Sequence, residues 1–162
     1  MLLGVLSDTH NRVATVEKAL GLLQKRGVDW VVHCGDIEDA DVVRLFAGWN
    51  AHFVFGNCDH DREGLRRAMR SAKVTLHEPF GDLELAGKKI AFVHGDDRRL
   101  LFDIEQSGHF DFLFYGHTHV ANERQNGSTR IINPGALHRA RPKTMGILDV
   151  TTGAWESIVV AD

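Results

Sequence analysis

Three short apolar runs in the first part of the chain each break off into polar residues and then give way to a stretch with helical spacing. Residues 2–7 are the first run, ending at Ser7-Asp8-Thr9-His10. Val13, Val16, Leu20 and Leu23 then recur at intervals of three and four. That spacing predicts a helix over 12–26 with one buried face, stopped by Gly27. Trp30-Val31-Val32-His33-Cys34 is the second run, ending at Gly35-Asp36, and a helix is expected over 39–48. His52-Phe53-Val54-Phe55 is the third, ending at Gly56-Asn57-Cys58-Asp59 before a basic amphipathic helix over 61–71. Strands that read apolar throughout are covered on both faces, and their alternation with helices predicts βαβ units on a parallel sheet.

The texture then changes. Asp82–Leu85 and Lys89–Val93 flank Ala86-Gly87-Lys88, a hairpin signal, and the second strand ends at His94-Gly95-Asp96-Asp97. A helix over 98–107 leads to the run Phe110–Tyr115, which ends at Gly116-His117-Thr118-His119. Asn126-Gly127 predicts a type I′ turn, after which come Thr129–Ile132 and Asn133-Pro134-Gly135. Met145–Val150 and Trp155–Val160 make a last hairpin through Thr152-Gly153. This half reads as mostly antiparallel. The chain as a whole reads as one α/β domain over residues 1–162, with two packed sheets and helices outside.

A chain of 162 residues is long enough to bury such a core. Its net charge of −3 supplies no global basic field for nucleic acid or an anionic membrane. No apolar run approaches the roughly 20 residues of a membrane span. The apolar opening residues lack the basic leader of a signal peptide. Cys34 and Cys58 are the only cysteines and form no disulfide framework, so the reducing cytoplasm is the expected compartment.

Five predicted strands end in residues able to bind metals: Asp8 and His10, Asp36, Asn57, His94, and the pair His117 and His119. Residues two apart share a face of extended chain, so His117 and His119 are expected to aim the same way, with Gly116 relieving the turn. In open α/β sheets ligands gather beyond the carboxyl ends of strands. Seven donors of mixed Asp, His and Asn type are too many for one ion and suit two, about 3.5–4 Å apart, sharing one phosphate. Singly, each has a commoner role. Asp8, Asp36 and Asn57 are good helix N-caps, and His94 could be a satisfied buried histidine.

At these residues the chain resembles the calcineurin-like metallophosphoesterase superfamily. That family's order is D-x-H, G-D, G-N-[H or C]-[D or E], G-H or H-G, and G-H-x-H, and all five blocks stand in order over residues 8–119. The small size and the blocks S-D-T-H, H-x-G-D, G-N-C-D and N-P-G are similar to the compact prokaryotic phosphodiesterase branch. The resemblance implies a four-layer α/β/β/α sandwich with two packed mixed β-sheets. It implies that Asp8, His10 and His119 hold one ion, that Asn57, His94 and His117 hold a second, and that Asp36 bridges both. The two imidazoles of G-H-T-H would then serve different ions. The implied cofactors are two divalent transition-metal ions. Mixed nitrogen and oxygen ligation suits manganese, iron, nickel or zinc, with manganese the first expectation. The implied activity is hydrolysis of a small phosphodiester by attack of a hydroxide bridging the ions, with Asp36 and Asn57 as the catalytic residues.

The departures carry expectations too. Cys58 stands where many relatives place a histidine that protonates the leaving group. A thiol with an ordinary value near 8.5 is a poorer donor at neutral pH, which favours esters with good leaving groups. His60 is the candidate substitute. Asp96 is expected to orient His94 or a metal-bound water, and Arg98 to grip phosphate. His33 is expected as a buried histidine supporting Asp36. His138, Arg139 and Arg141 are expected near substrate, while the arginines of 61–71 read as a solvated face. The expected partner is the small phosphodiester, with neither membrane nor nucleic acid, and a homo-oligomer is compatible with all of this. The alternative is a catalytically weak metal-binding scaffold of the same fold.

Overall fold

The central strands are buried on both faces, and the alternate facing of successive side chains builds the layers. The computed structural model describes residues 1–161, so Asp162 of the expected domain lies outside it. In chain order the first half comprises β1 (Leu2–Leu6), α1 (Val13–Lys25), β2 (Trp30–His33), α2 (Ala40–Arg44), β3 (Asn50–Phe53), α3 (Arg62–Ala72) and β4 (Thr75–Leu76). The second half comprises β5 (Gly81–Leu85), β6 (Lys88–Val93), α4 (Arg98–Gln106), β7 (Phe112–Tyr115), β8 (Asn122–Asn126), β9 (Thr129–Asn133), β10 (Thr144–Asp149) and β11 (Trp155–Val159). The six-stranded sheet runs β11-β10-β1-β2-β3-β4 and the five-stranded sheet β5-β6-β7-β9-β8.

Leu3 and Val5 of β1 face the second sheet, where they meet Ile90, Phe92, Phe112, Phe114 and Ile132. Leu6, Val31, Ala51 and Phe53 point the other way, onto Val16, Leu20 and Leu23 of α1 and Leu65 and Met69 of α3. On the far side, Ala91, Val93, Leu113 and Ile131 pack with Ile104 of α4. Three apolar layers between two sheets and two sets of helices are the four-layer α/β/β/α sandwich. The period of two in the strands decides which side chain enters which layer.

Four local expectations are corrected. The second helix is short: after Arg44 the N–H groups of Leu45, Phe46, Ala47 and Trp49 bond three residues back, and these tighter turns accompany a fully buried Phe46 edge-on to Phe53. β3 ends at Phe53: its partner β2 ends at His33, whose carbonyl takes a last bond from Val54 N–H at 3.2 Å before the chain turns away through Gly35. The two-residue β4 adds a parallel edge beside β3. The second sheet has antiparallel hairpins at its edges, β5–β6 and β8–β9, around a parallel centre, β6–β7–β9. There α4 carries the chain back over the sheet, a crossover that turn signals do not reveal.

Candidate metal centre

The five polar blocks sit at the carboxyl ends of β1, β2, β3, β6 and β7, and their loops turn unusually tightly. Asp8, His10, Asp36, His117 and His119 all have left-handed backbones, with φ of 52°, 41°, 57°, 66° and 59°. Non-glycine residues adopt this region at a cost and hold it where surroundings impose it. Here main-chain bonds interlock the loops: Asp8 N–H to Gly35 C=O at 3.0 Å, His10 N–H to Asp36 C=O at 3.0 Å, and Gly116 N–H to His94 C=O at 2.9 Å. Gly116 is needed for space rather than for its turn. A Cβ there would lie 1.9 Å from Ser7 Oγ and 2.7 Å from Asp8 Oδ2.

None of the three carboxylate or amide candidates caps a helix. Arg12 precedes α1 with no side-chain cap, and Asp39 and Asp61 cap α2 and α3. Asp8 is fully buried. Its Oδ2 accepts from Ser7 Oγ at 2.5 Å and from His117 N–H at 3.1 Å. Its Oδ1 has no hydrogen-bond partner among the described residues, although His119 Nε2 lies 3.1 Å away. His10 Nδ1–H donates to Glu38 Oε1 at 2.7 Å, which leaves its Nε2 lone pair aimed 3.3 Å from His119 Nε2. An orphaned buried oxygen facing imidazole nitrogens is an arrangement that a cation resolves.

The other half of the centre repeats this logic. His94 Nδ1–H donates to the Cys34 carbonyl at 2.8 Å, turning Nε2 toward Asn57 Oδ1 at 3.1 Å and Asp36 Oδ2 at 3.4 Å. Burial alone would lower His94, but the bond to Asp36 and its charge outweigh that and lift it to about 9. Burial opposes ionisation of Asp36, yet His94 and the Cys58 N–H hold its carboxyl well below the usual range. The same Asp36 Oδ2 is 3.5 Å from His10 Nε2, so one carboxylate oxygen stands between the two halves. His117 lies edge-on to His94, ring centroids 5.1 Å apart. Three sets, Asp8 with His10 and His119, Asp8 with Asp36 and His94, and His10 with Asp36 and Cys58, each place their donor atoms within 4.8 Å of one another. The donor set fits divalent transition metals of borderline softness.

A family model described as the calcineurin-like phosphoesterase superfamily domain matches residues 1–153. The chain belongs to that superfamily. It is 29% identical over 165 residues to Phosphodiesterase MJ0936 of Methanocaldococcus jannaschii, covering 99% of each chain. It is 27% identical over 174 residues to Phosphodiesterase YfcE of Escherichia coli, covering 92% of this chain and 88% of that one. A solved archaeal phosphodiesterase superposes with a TM-score of 0.90 at 28% identity, covering 98% of this chain and 99% of the other.

In this calcineurin-like phosphoesterase two further residues shape the centre, and only one of them, Asp59, carries a local sequence signal. Glu38 orients His10. Asp59 is 2% exposed and gathers four main-chain N–H groups: Ile37 at 2.7 Å and Glu38 at 2.7 Å on Oδ1, Gly56 at 2.7 Å and Asp36 at 3.0 Å on Oδ2. It ties the loop after β2 to the loop after β3. Its place as the last letter of G-N-C-D is the available signal.

Other expectations are redistributed. Asp96 does not orient His94; the Cys34 carbonyl does, and Asp96 is an exposed residue of a neighbouring cavity. Arg98 is exposed on the first turn of α4 and does not line that cavity. His60 is exposed, and its ring makes no hydrogen bond or ring contact among the described residues. His138 packs against His10, ring centroids 5.2 Å apart, and accepts from Arg12 Nε at 3.1 Å. His33 accepts Gly35 N–H on Nδ1 at 3.2 Å and donates from Nε2 to Thr9 Oγ1 at 3.1 Å, stacking on Phe53. It supports the loop around Asp36 rather than the carboxylate itself.

That burial has a pH consequence. Desolvation, with the nearby His94 adding to it, pushes His33 from 6.5 down to about 3. As pH falls below 6.5 the unfolded chain takes up a proton that the folded chain refuses, so stability falls until about pH 3 is reached. Each pH unit in that window removes about 1.4 kcal/mol, or roughly 2 kcal/mol by pH 5. Urea unfolding at pH 7.5 and pH 5 should show a larger loss for the wild type than for His33→Asn. Equal losses would mean that His33 is not held neutral.

Proposed function

We propose that this calcineurin-like phosphoesterase hydrolyses small phosphodiesters using two divalent transition-metal ions at this centre, manganese first, with nickel, iron or zinc as alternatives. The observation that carries the reading is Asp36 Oδ2, 3.5 Å from His10 Nε2 and 3.4 Å from His94 Nε2, one acceptor shared by two donor sets. In this reading Asp8, His10 and His119 hold one ion, Asn57, His94 and His117 the other, and Asp36 bridges. Bound there, the ions would supply an activated water and positive charge against the phosphate oxygens.

The chain's own residues do the rest. Glu38 and the Cys34 carbonyl take the Nδ1–H of His10 and His94, so both rings turn Nε2 toward the metal position, and the proton that Asp36 favours on His94 would leave as a metal binds. Asn57 turns Oδ1 inward and leaves its amide N–H groups free to donate to a phosphate oxygen, apart from a 3.5 Å approach to Cys58 Sγ. Burial, reinforced by Asp36, pushes the Cys58 thiol up to about 11. It keeps its proton at neutral pH and gives it up reluctantly, which supports a preference for good leaving groups. The family likeness to proteins named phosphodiesterases supports the diester class. Free thiols at Cys34 and Cys58 support a reducing cytoplasm. No helix among the described residues is long and apolar enough to cross a membrane.

The test is turnover of bis(p-nitrophenyl) phosphate by purified protein, stripped by chelator and reloaded with each of the four metals. Manganese-dependent turnover is expected. Metal binding without turnover under any of them would favour the alternative of a catalytically weak scaffold, to which the Cys58 thiol lends its support. Glu38→Ala should weaken manganese binding by about 10–100-fold, the usual loss when a ligand's orienting partner is removed. A calorimetric titration matching the wild type would show that His10 is positioned without Glu38.

A further inference from the structure

The segment between β9 and β10, residues 134–143, is anchored at its root and basic at its tip. Asn133 Nδ2 donates to Gly116 C=O at 2.9 Å and Thr118 Oγ1 at 3.1 Å. Leu137 N–H bonds Ser7 C=O at 3.3 Å, and Thr144 closes the base through Ala136 and Pro134. Ala136 and Leu137 are fully buried. The root is therefore fastened to the two loops that carry Asp8 and His119, and the tip is held at the rim of the centre.

That tip reads His138-Arg139-Ala140-Arg141-Pro142-Lys143, in a chain of net charge −3. A cavity of about 440 Å³ opens between it and the G-H-T-H loop, lined by Thr118, His119, Ala121, Arg139, Arg141 and Thr144 among others. No carboxylate lines it. Arg139 and Arg141 are exposed and make no ion pair or hydrogen bond among the described residues. The opposite side of the centre differs. The cavity of about 420 Å³ beyond His94 is lined by Glu78, Asp96 and Asp97, with Arg62 lying over Phe55 at 5.1 Å. A group on the arm beside His119 would therefore meet guanidiniums with no carboxylate among them, whereas the other lining mixes both signs, with Glu78 paired to Arg66 at 2.8 Å. The scissile phosphate belongs to the centre itself, so two unpaired guanidiniums beside His119 have no anion in the reaction as so far described. Paired planar forks suit a dianionic tetrahedral group.

We infer that Arg139 and Arg141 form a subsite for a second phosphate carried by the substrate, on the ester arm that lies beside His119. The substrate class is then a phosphodiester bearing a further phosphate monoester. This rests on the phosphodiesterase reading above, but its test does not require turnover. Manganese-loaded protein is titrated calorimetrically with thymidine 3′,5′-bisphosphate and with thymidine 5′-monophosphate. The bisphosphate should bind at least about tenfold more tightly, the factor expected for charge-assisted bonds at a solvated rim. The preference should shrink as salt is raised from about 0.05 to 0.2 M. It should vanish in Arg139→Gln/Arg141→Gln and survive in reduced form in Arg139→Lys/Arg141→Lys, which keeps the charge but loses the planar fork. No preference in the wild type, or the same preference in the glutamine variant, overturns the subsite. A bisphosphate preference without turnover of bis(p-nitrophenyl) phosphate would leave the subsite standing and remove the catalytic reading instead.

Discussion

Asp36→Asn should lower kcat/KM by more than about 100-fold, exceeding the loss typical of partners one step further from the metal. It should also release at least one metal equivalent. The wild-type carboxylate uses Oδ1 to accept Cys58 N–H at 2.8 Å and Oδ2 to face both His10 and His94. An amide keeps one oxygen. If that oxygen stays with Cys58 N–H, an NH₂ group is turned toward the two histidine nitrogens, where the site needs an acceptor and a negative charge. The shape survives and the charge does not, so the fold should persist with a weakened centre. Metal content by emission spectrometry, alongside turnover of bis(p-nitrophenyl) phosphate, checks both halves of this. A variant that keeps full activity and two metals would show that Asp36 is not the bridge.

Asp59→Asn should cost stability rather than chemistry alone. The carboxylate accepts four main-chain N–H groups in a buried setting. An asparagine oxygen serves two of them and sets an NH₂ against the others. Losing two bonds to a charged acceptor costs at least about 3 kcal/mol. For a chain of this size that is a fall in Tm of roughly 6–12 °C. Because Asp36 N–H is one of the four, metal affinity should fall in the same variant. Asp59→Ala should do worse, since four buried donors would be left without partners and the whole protein has only about 5–15 kcal/mol in hand. A calorimetric Tm within about 2 °C of the wild type for Asp59→Asn would mean that the two loops are not clamped through this residue.

Much of the centre was legible because its ligands lie close together in sequence. Asp8 and His10, or His117 and His119, are paired by a spacing visible without a fold. Unbroken apolar runs likewise mark the strands covered on both faces, and the period of two decides which side chain enters which layer. What stayed hidden acts across the fold. Glu38 reaches His10 over 28 residues and Asp59 reaches the Asp36 loop over 22 and 23. The partner of His94 is a main-chain carbonyl, Cys34, which any residue type could supply, so the nearby Asp96 was the more visible candidate. The parallel centre of the second sheet depends on the crossover through α4, and β4 is too short to carry a pattern. A glycine before a turn suggests freedom to turn, whereas at Gly116 the fold uses the missing side chain.

The seam between the sheets has one more consequence. Asp8, His10, Asp36 and Asn57 hang from one sheet, and His94, His117 and His119 from the other. What holds those two sets apart is the apolar layer of Leu3, Val5, Phe92 and Phe114. Packed sheets sit about 10 Å apart, at a distance set by the volume of the side chains between them. The interior therefore works as a gauge block, machined by side-chain size, that sets the opening of a pair of jaws. A substitution that thins it would change the reach between donors before it changed the chemistry of any one of them.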